Sequence, residues 1–501
     1  MKHLLLPLAA LLISTPALAQ QGGAEAEPNV AERHAQERID RILQFDRGAD
    51  GLGSVIVLNP AAAQEAGEAF EEGTPLGGRT VLVKDNIETR ELPTTAGSLA
   101  LADNDTGRDA PMIARLREAG GVVLGKTNLS EWANFRSSDS TSGWSAVGGI
   151  TRNPHATDRN ACGSSSGSGA AVAAGFAWAA IGTETDGSIT CPASVNGVVG
   201  FKPTVGMVSR THVVPLSASQ DTAGPMARSV TSAAMLLTAI AGSDPLDPAT
   251  ADADDYATDF TAGLAEASLQ GVRIGVLRDR FGGFAPLGEV YEQALTDLRQ
   301  AGAVLVDVTY EGNPEMGDAE YTVLLYEFQR DINTYLENSP ADIPVRSLAD
   351  LIAFNIEHAD QELRWFGQDV FELALETTDE AEYLEARETA RRLAGAEGID
   401  ALLAEHDVAF LVAPTRGPAW NIDLLLGDHW LGGIGIGSLA AVSGYPHLTV
   451  PMGHVERLPV GLSFIGAQWS DHAILQAGAA YERARSAELP EPSLTRWNPV
   501  P

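Results

Sequence analysis

The chain is poor in lysine: 501 residues hold four, Lys2, Lys84, Lys126 and Lys202, among 33 lysines and arginines. A sequence that uses arginine almost everywhere else retains lysine where its chemistry differs, because a buried lysine can give up its proton and an arginine cannot. Positive charge is scarce overall. With 67 acidic residues the net charge is -34, which argues against nucleic acid or an anionic membrane surface as partner, since both call for basic patches. The acidity reads as a solvated surface. Cysteine is nearly missing, with only Cys162 and Cys191. That excludes a disulfide framework and, without a histidine cluster, a zinc site. The two lie beside serine-rich turns and can pair in an oxidising compartment, but two small buried thiols are the preferred reading. No apolar run after the first twenty residues is long enough to span a bilayer. No metal and no cofactor is expected.

What is present begins with "MKHLLLPLAALLISTPALAQ". A basic start, a short apolar run and "ALA" before Gln20 have the form of a secretory signal, residues 1–19, cleaved after Ala19. The mature protein is then expected to be periplasmic or secreted and free of the membrane, with residues 20–29 a flexible leader. An apolar content of 44% over this length fits one large domain or two. "VAERHAQERIDRILQF" has a helical apolar stripe. Arg79 to Ile87 reads as a buried strand that ends at Lys84 and Asp85. Helix, glycine turn and strand follow one another around residues 110–130, the grammar of an α/β fold with a sheet flanked by helices. Ala170 to Ala180 reads as a tightly packed helix, and Gly271 to Leu277 and Ala303 to Val308 as strands. Residues 311–399 are mostly helical and charged, a cap or insertion over the sheet. There is no internal repeat.

Three stretches carry the chemistry: "LVKDNI" around Lys84, "CGSSSGSGAA" around Ser164 and "GTETDGSITCP" around Ser188. Singly each is weak. A strand lysine beside Asp85 is more often an ion pair than a base, and serine-glycine turns are often only turns or anion nests. Ser188 has no histidine in any recognisable relation to it. The four late histidines, His429, His447, His454 and His472, lack a nucleophile-elbow context and read as packed or surface residues. Lys126 and Lys202 read as structural.

Taken in order, these stretches resemble the amidase signature family. So do "TTAGS", "GKTNLSEWA", "NGVVGFKPT", "SQDTAGPMARSV" and "LPVGLSFIG", and the resemblance runs from about Val55 to Tyr481. It implies one amidase signature domain over 30–501, with a mixed central sheet flanked by helices on both faces. It further implies a Ser–cis-Ser–Lys triad, with Lys84 as base, Ser164 as the bridging serine after a cis peptide and Ser188 as nucleophile. The N–H groups of Thr185, Asp186, Gly187 and Ser188 would form the oxyanion hole. Asn134 would line the substrate cleft, and Asp221 would support the scaffold. A free lysine has a pKa of about 10.4, and burial can lower it to ~7–8, which suits a general base.

The sequence departs from the commonest family pattern. Asp186 and Thr190 replace a glycine and an arginine, Glu184 replaces an aspartate, and Ser166 stands where glycine is usual. This wording is most similar to bacterial peptide amidases, and implies an exported amidohydrolase releasing ammonia from the C-terminal amides of peptides. An acidic Asp186 beside the oxyanion hole would favour a neutral amide terminus over a carboxylate. An acylamidase or carbamate hydrolase on small aryl or alkyl amides is the alternative within the fold. A catalytically inactive binding protein is the alternative of another class. A glutaminyl-tRNA amidotransferase component is disfavoured by the signal and the acidic surface.

Overall fold

A computed structural model describes residues 28–499. The expected signal, and the leader except for Pro28 and Asn29, lie outside the described residues. The first helix, Val30–Phe45, starts where the amphipathic stripe starts. Asn29 caps it by accepting the N–H groups of Ala31 and Glu32, two of the donors a helix start leaves unpaired.

Eleven strands form one sheet. In chain order they are β1 (Val55–Leu58), β2 (Thr80–Lys84), β3 (Val122–Thr127), β4 (Ala179–Glu184), β5 (Val199–Lys202) and β6 (Thr222–Ala227). Then come β7 (Arg273–Val276), β8 (Val304–Asp307), β9 (Phe410–Pro414), β10 (His447–Val455) and β11 (Leu458–Ile465). Across the sheet the order is β1-β3-β2-β4-β6-β5-β10-β11-β9-β7-β8. Parallel pairs (β2 with β3 and β4, β7 with β8 and β9) sit among antiparallel ones, so the sheet is mixed and the fold is a single α/β domain.

Both faces are covered, and strand alternation sorts the side chains between them. Val81 and Val83 join one apolar layer with the helices Pro111–Glu118, Val230–Ile240, Ala285–Gln300 and Asp471–Ala484. Leu82 joins the other, with Val30–Phe45, Ala62–Glu71, Ser166–Ala173 and Thr190–Val195. Lys84 shares the parity of Leu82, which delivers its amine to the face that carries the serine loops.

The helix expected over Ala170 to Ala180 is corrected. It runs Ser166–Ala173 and ends before Gly175, whose φ of +74° no longer continues a helix. Ala179 and Ala180 instead begin β4, where pairing with β2 and β6 overrides alanine's helical preference.

Residues 314–399 form the helices Pro314–Asn338, Leu348–Glu357, Asp369–Glu376 and Glu380–Ala394, followed by a wider turn to Ile399. Phe328 and Phe371 pack edge-on against Phe135 and Trp132, at centroid distances of 5.2 and 5.8 Å. Glu327 accepts hydrogen bonds from Ser217 and Ser219. The helical layer is thus fastened to the loops that follow β3 and precede β6. Phe328→Ala should cost about 3–5 kcal/mol in denaturant unfolding and open the 314–399 segment to limited proteolysis; unchanged stability would contradict this packing.

Candidate active site

Lys84 ends β2 with its side chain fully buried. Its Nζ lies 2.7 Å from Ser164 Oγ, 2.8 Å from Thr183 Oγ1 and 3.2 Å from the Thr183 carbonyl. No carboxylate is among these partners. A neutral amine has two N–H donors and one lone pair. The two Thr183 oxygens can take the donors, leaving the lone pair to accept the Ser164 hydroxyl. Burial lowers the Lys84 pKa to about 7, opposed by the more distant charges of Asp221 and Glu184.

The adjacent carboxylate, Asp85, faces the other lysine. Lys126 Nζ stands 3.1 Å from Asp85 Oδ1, with both side chains buried, and also donates to Thr94 Oγ1. Thr95 donates to the second Asp85 oxygen. The ion pair that the sequence invites for Lys84 is therefore made by Lys126.

Ser164 follows a cis peptide from Gly163. The glycine is required by close approach: a Cβ there would lie 2.1 Å from Ser130 Oγ. Ser165 stitches the serine loop to the next one, its N–H donating to the Ser188 carbonyl at 3.1 Å and its hydroxyl to the Thr183 carbonyl at 3.0 Å. Cys162 and Cys191 form a disulfide, which corrects the reading of two free thiols. Cys162 precedes Gly163 and Cys191 follows Ser188 by three residues, so the bond joins the loops of the two serines. Sequence offers no distance between them; the fold brings their Cα atoms to 6.1 Å.

Ser188 is 8% exposed, and among the described residues its hydroxyl makes no protein hydrogen bond. The surrounding turn divides its backbone donors. The N–H groups of Thr185, Asp186, Gly187 and Ser188 donate to no protein acceptor among the described residues. Those of Ile189 and Thr190 go to the Glu184 carboxylate at 2.7 and 2.8 Å. Asp221 braces the other side, accepting Thr185 Oγ1 at 2.6 Å and the N–H groups of Leu216 and Ser217. The four free donors next to an uncommitted hydroxyl can hold a developing oxyanion.

Asp186 is not an isolated charge. At the exposed edge of the turn it accepts Ser438 Oγ at 2.7 Å; desolvation by the surrounding protein raises its pKa, and the Ser438 bond, Arg416 and Lys202 counter that rise. A cavity of about 200 Å³ opens beside Asp186 and Gly187. Asn134 adopts a left-handed backbone (φ 70°) and donates to Ser142, with its buried Oδ1 unpartnered. A Cβ on Gly163 would lie 3.3 Å from its amide nitrogen, which places Asn134 against the Ser164 loop. Ser138 is tied to Asp369 of the helical layer. Lys202 contacts the Pro203 carbonyl, and burial lowers its pKa to about 8. His447 is buried against Ser463 and held near 3 by burial and Lys202, a neutral packed residue. Among the described residues no acidic, histidine or cysteine cluster could hold a metal. Thr183, Ser165 and Glu184 position the site, a role that the sequence does not assign to them. They lie inside the motifs, but a threonine or serine among many carries no mark of which acceptor it meets.

Two outcomes follow from this geometry. At neutral pH the buried amine of Lys84 is half deprotonated, whereas in the unfolded chain it stays charged up to about 10.5. The unfolded state then binds more protons between pH 7 and 10, so this group's contribution to stability rises with pH over that window and is lost as pH falls to 7. The stability difference between the native protein and Lys84→Met should move by about 4 kcal/mol across it, read by chemical denaturation at each pH. A flat difference would refute the buried neutral amine. Replacing both cysteines by serine should lower stability by about 3.6 kcal/mol, the chain-entropy value for a closed loop of 29 residues, and loosen the two serine loops. Equal melting of oxidised and reduced protein would count against the bond.

The amidase family profile matches residues 39–475. A probable amidase of Arabidopsis thaliana is 37% identical over 457 residues, covering 88% of this chain and 84% of the relative. One component of the glutamyl-tRNA(Gln) amidotransferase of Thermus thermophilus is 35% identical, covering 90% of this chain and 93% of the relative. Among solved structures, the native peptide amidase of Stenotrophomonas maltophilia is 50% identical with a TM-score of 0.86, covering 92% of this chain and 95% of that one. Profile, identity and shared sheet agree, and the chain belongs to the amidase signature family of amide hydrolases.

Proposed function

We propose that this amidase cleaves carboxamides through Lys84, Ser164 and Ser188, releasing ammonia from the C-terminal amides of peptides. The observation that carries the reading is the fully buried Lys84 amine, 2.7 Å from Ser164 Oγ and without a carboxylate partner. In this scheme Ser188 Oγ attacks the amide carbon while its proton passes to Ser164 Oγ and the Ser164 proton passes to Lys84 Nζ. The carbonyl oxygen becomes an oxyanion held by the free N–H groups of the 185–188 turn. Collapse of the intermediate breaks the C–N bond, and the proton returns through Ser164 to the leaving nitrogen. Water then enters by the same route and frees the acid.

The preference for peptide amides rests on the 50% identity to a solved peptide amidase over nearly the whole chain. It does not rest on Asp186, whose charge is partly balanced by Arg416 and Lys202. Export is part of the proposal. It is supported by the leader pattern and by a disulfide among the described residues, and a mature N-terminus at Gln20 in a periplasmic or culture fraction would test it.

Ammonia release across amidated peptides, simple amides and anilides tests the substrate class, with kcat/KM expected to be highest for amidated peptides. A clear preference for anilides or carbamates would favour the acylamidase reading. A fluorophosphonate probe should label Ser188. Lys84→Met should lower kcat by at least about 10³-fold and abolish labelling while the protein remains folded. The wild-type rate should fall as pH drops below about 7, where Lys84 becomes protonated. Undiminished turnover in the folded variant would defeat the proposed base.

A further inference from the structure

The cavity beside the nucleophile turn has a lining unlike the rest of this acidic protein. Arg280, in the loop after β7, and Arg416, just after β9, both face it. Neither guanidinium makes a hydrogen bond or ion pair to the protein among the described residues. The Nε atoms of both, and the hydroxyl of Tyr310 on the same wall, are buried without partners. Each guanidinium instead lies over an aromatic ring, Arg280 over Tyr310 at 5.3 Å and Arg416 over Trp430 at 4.8 Å. A cation–π contact uses no N–H donor, and the Nε donors of both remain free.

Two unpaired arginines are conspicuous in a chain with 67 acidic residues against 33 basic ones. The nearby carboxylates are otherwise engaged. Asp428 accepts from Ser142 and Trp420, and Asp186 accepts from Ser438. Glu320, one turn along the helix from the cavity wall at Met316, is pushed up to about 8 by burial and Asp186, so it is mostly protonated at neutral pH. The cavity therefore holds guanidinium donors that no protein acceptor claims, with the charge of Arg416 partly balanced by Asp186 and Asp428. Its volume, about 200 Å³, is below that of a drug-sized site and suits a single side chain. Buried donors without acceptors are costly unless a ligand supplies them.

We propose that Arg280 and Arg416, with the Tyr310 hydroxyl, form a specificity subsite for a carboxylate carried by the amide substrate, such as an acidic side chain near the scissile amide. The bidentate geometry of a guanidinium matches a carboxylate, and Gly187 on the cavity wall sets the subsite next to Ser188. This assignment rests on the amidase reading of Ser188 only for its relation to the reacting bond.

The test compares acetylated peptide amides that differ by one residue, glutamate or glutamine, at the amidated position and at the one before it. At one of these positions the wild-type protein should favour the glutamate peptide by about tenfold or more in kcat/KM, chiefly through KM. Arg416→Gln and, independently, Arg280→Gln should bring the ratio towards one, and the lysine variants should restore part of it. The ratio is internal to each protein, so a general loss of activity does not disturb it. If one variant fails to fold, the other still decides.

Equilibrium binding to Ser188→Ala separates this idea from the substrate proposal. The glutamate peptide should bind about tenfold tighter than the glutamine peptide even if neither amide is turned over. Equal binding, a ratio unmoved by both arginine variants, or stimulation by free acetate or phosphate without a glutamate preference would each overturn the subsite.

Discussion

Two buried lysines and one buried carboxylate set the character of this site. Lys84 and Asp85 are neighbours in sequence, yet Lys84 ends β2 and Asp85 opens the turn after it, with its carboxylate directed to Lys126 and away from the Lys84 amine. Asp85 falls to Lys126, and Lys84 is left with hydroxyl and carbonyl oxygens alone. A charged amine in such a place would be desolvated without an adjacent counter-ion, which is costly, so the neutral amine is favoured down to about pH 7. Were Asp85 directed to the Lys84 amine instead, the same lysine would be a locked cation.

The other acidic groups near the site obey the same economy. Glu184 and Asp221 are buried within reach of the Lys84 field, but each is committed to backbone and hydroxyl donors around the Ser188 turn. Fixing those donors leaves the preceding four N–H groups unclaimed. The carboxylates thus shape the turn while remaining too far from the amine to hold its proton.

Around this centre the structure controls position with covalent and packing constraints. The disulfide joins the Ser164 and Ser188 loops, and Ser165 bonds to the backbone on both sides of the Ser188 turn. The helical layer, through Phe328, Phe371 and Glu327, holds the outer loops. Arg280 and Arg416 arrive on separate strand ends far apart in sequence, and only the sheet order brings them to one cavity.

Much of this was legible in one dimension. Local periodicity located the helix Val30–Phe45 and the strand that ends at Lys84, because burial on one face repeats at the period of the element. The scarcity of lysine marked Lys84, and motif order marked Ser164, Ser188 and the family. Sequence alone could not say which lysine takes Asp85, that Cys162 and Cys191 bond, or that Ala179 begins a strand. It also could not show that Thr183 and Glu184 position the site, or that two distant arginines share a cavity. Apart from Glu184, which folds back on the turn five residues ahead of it, these depend on distances between segments 29 to more than 130 residues apart. Such distances are set when competing partners pack into one sheet, and no local pattern records which partner wins.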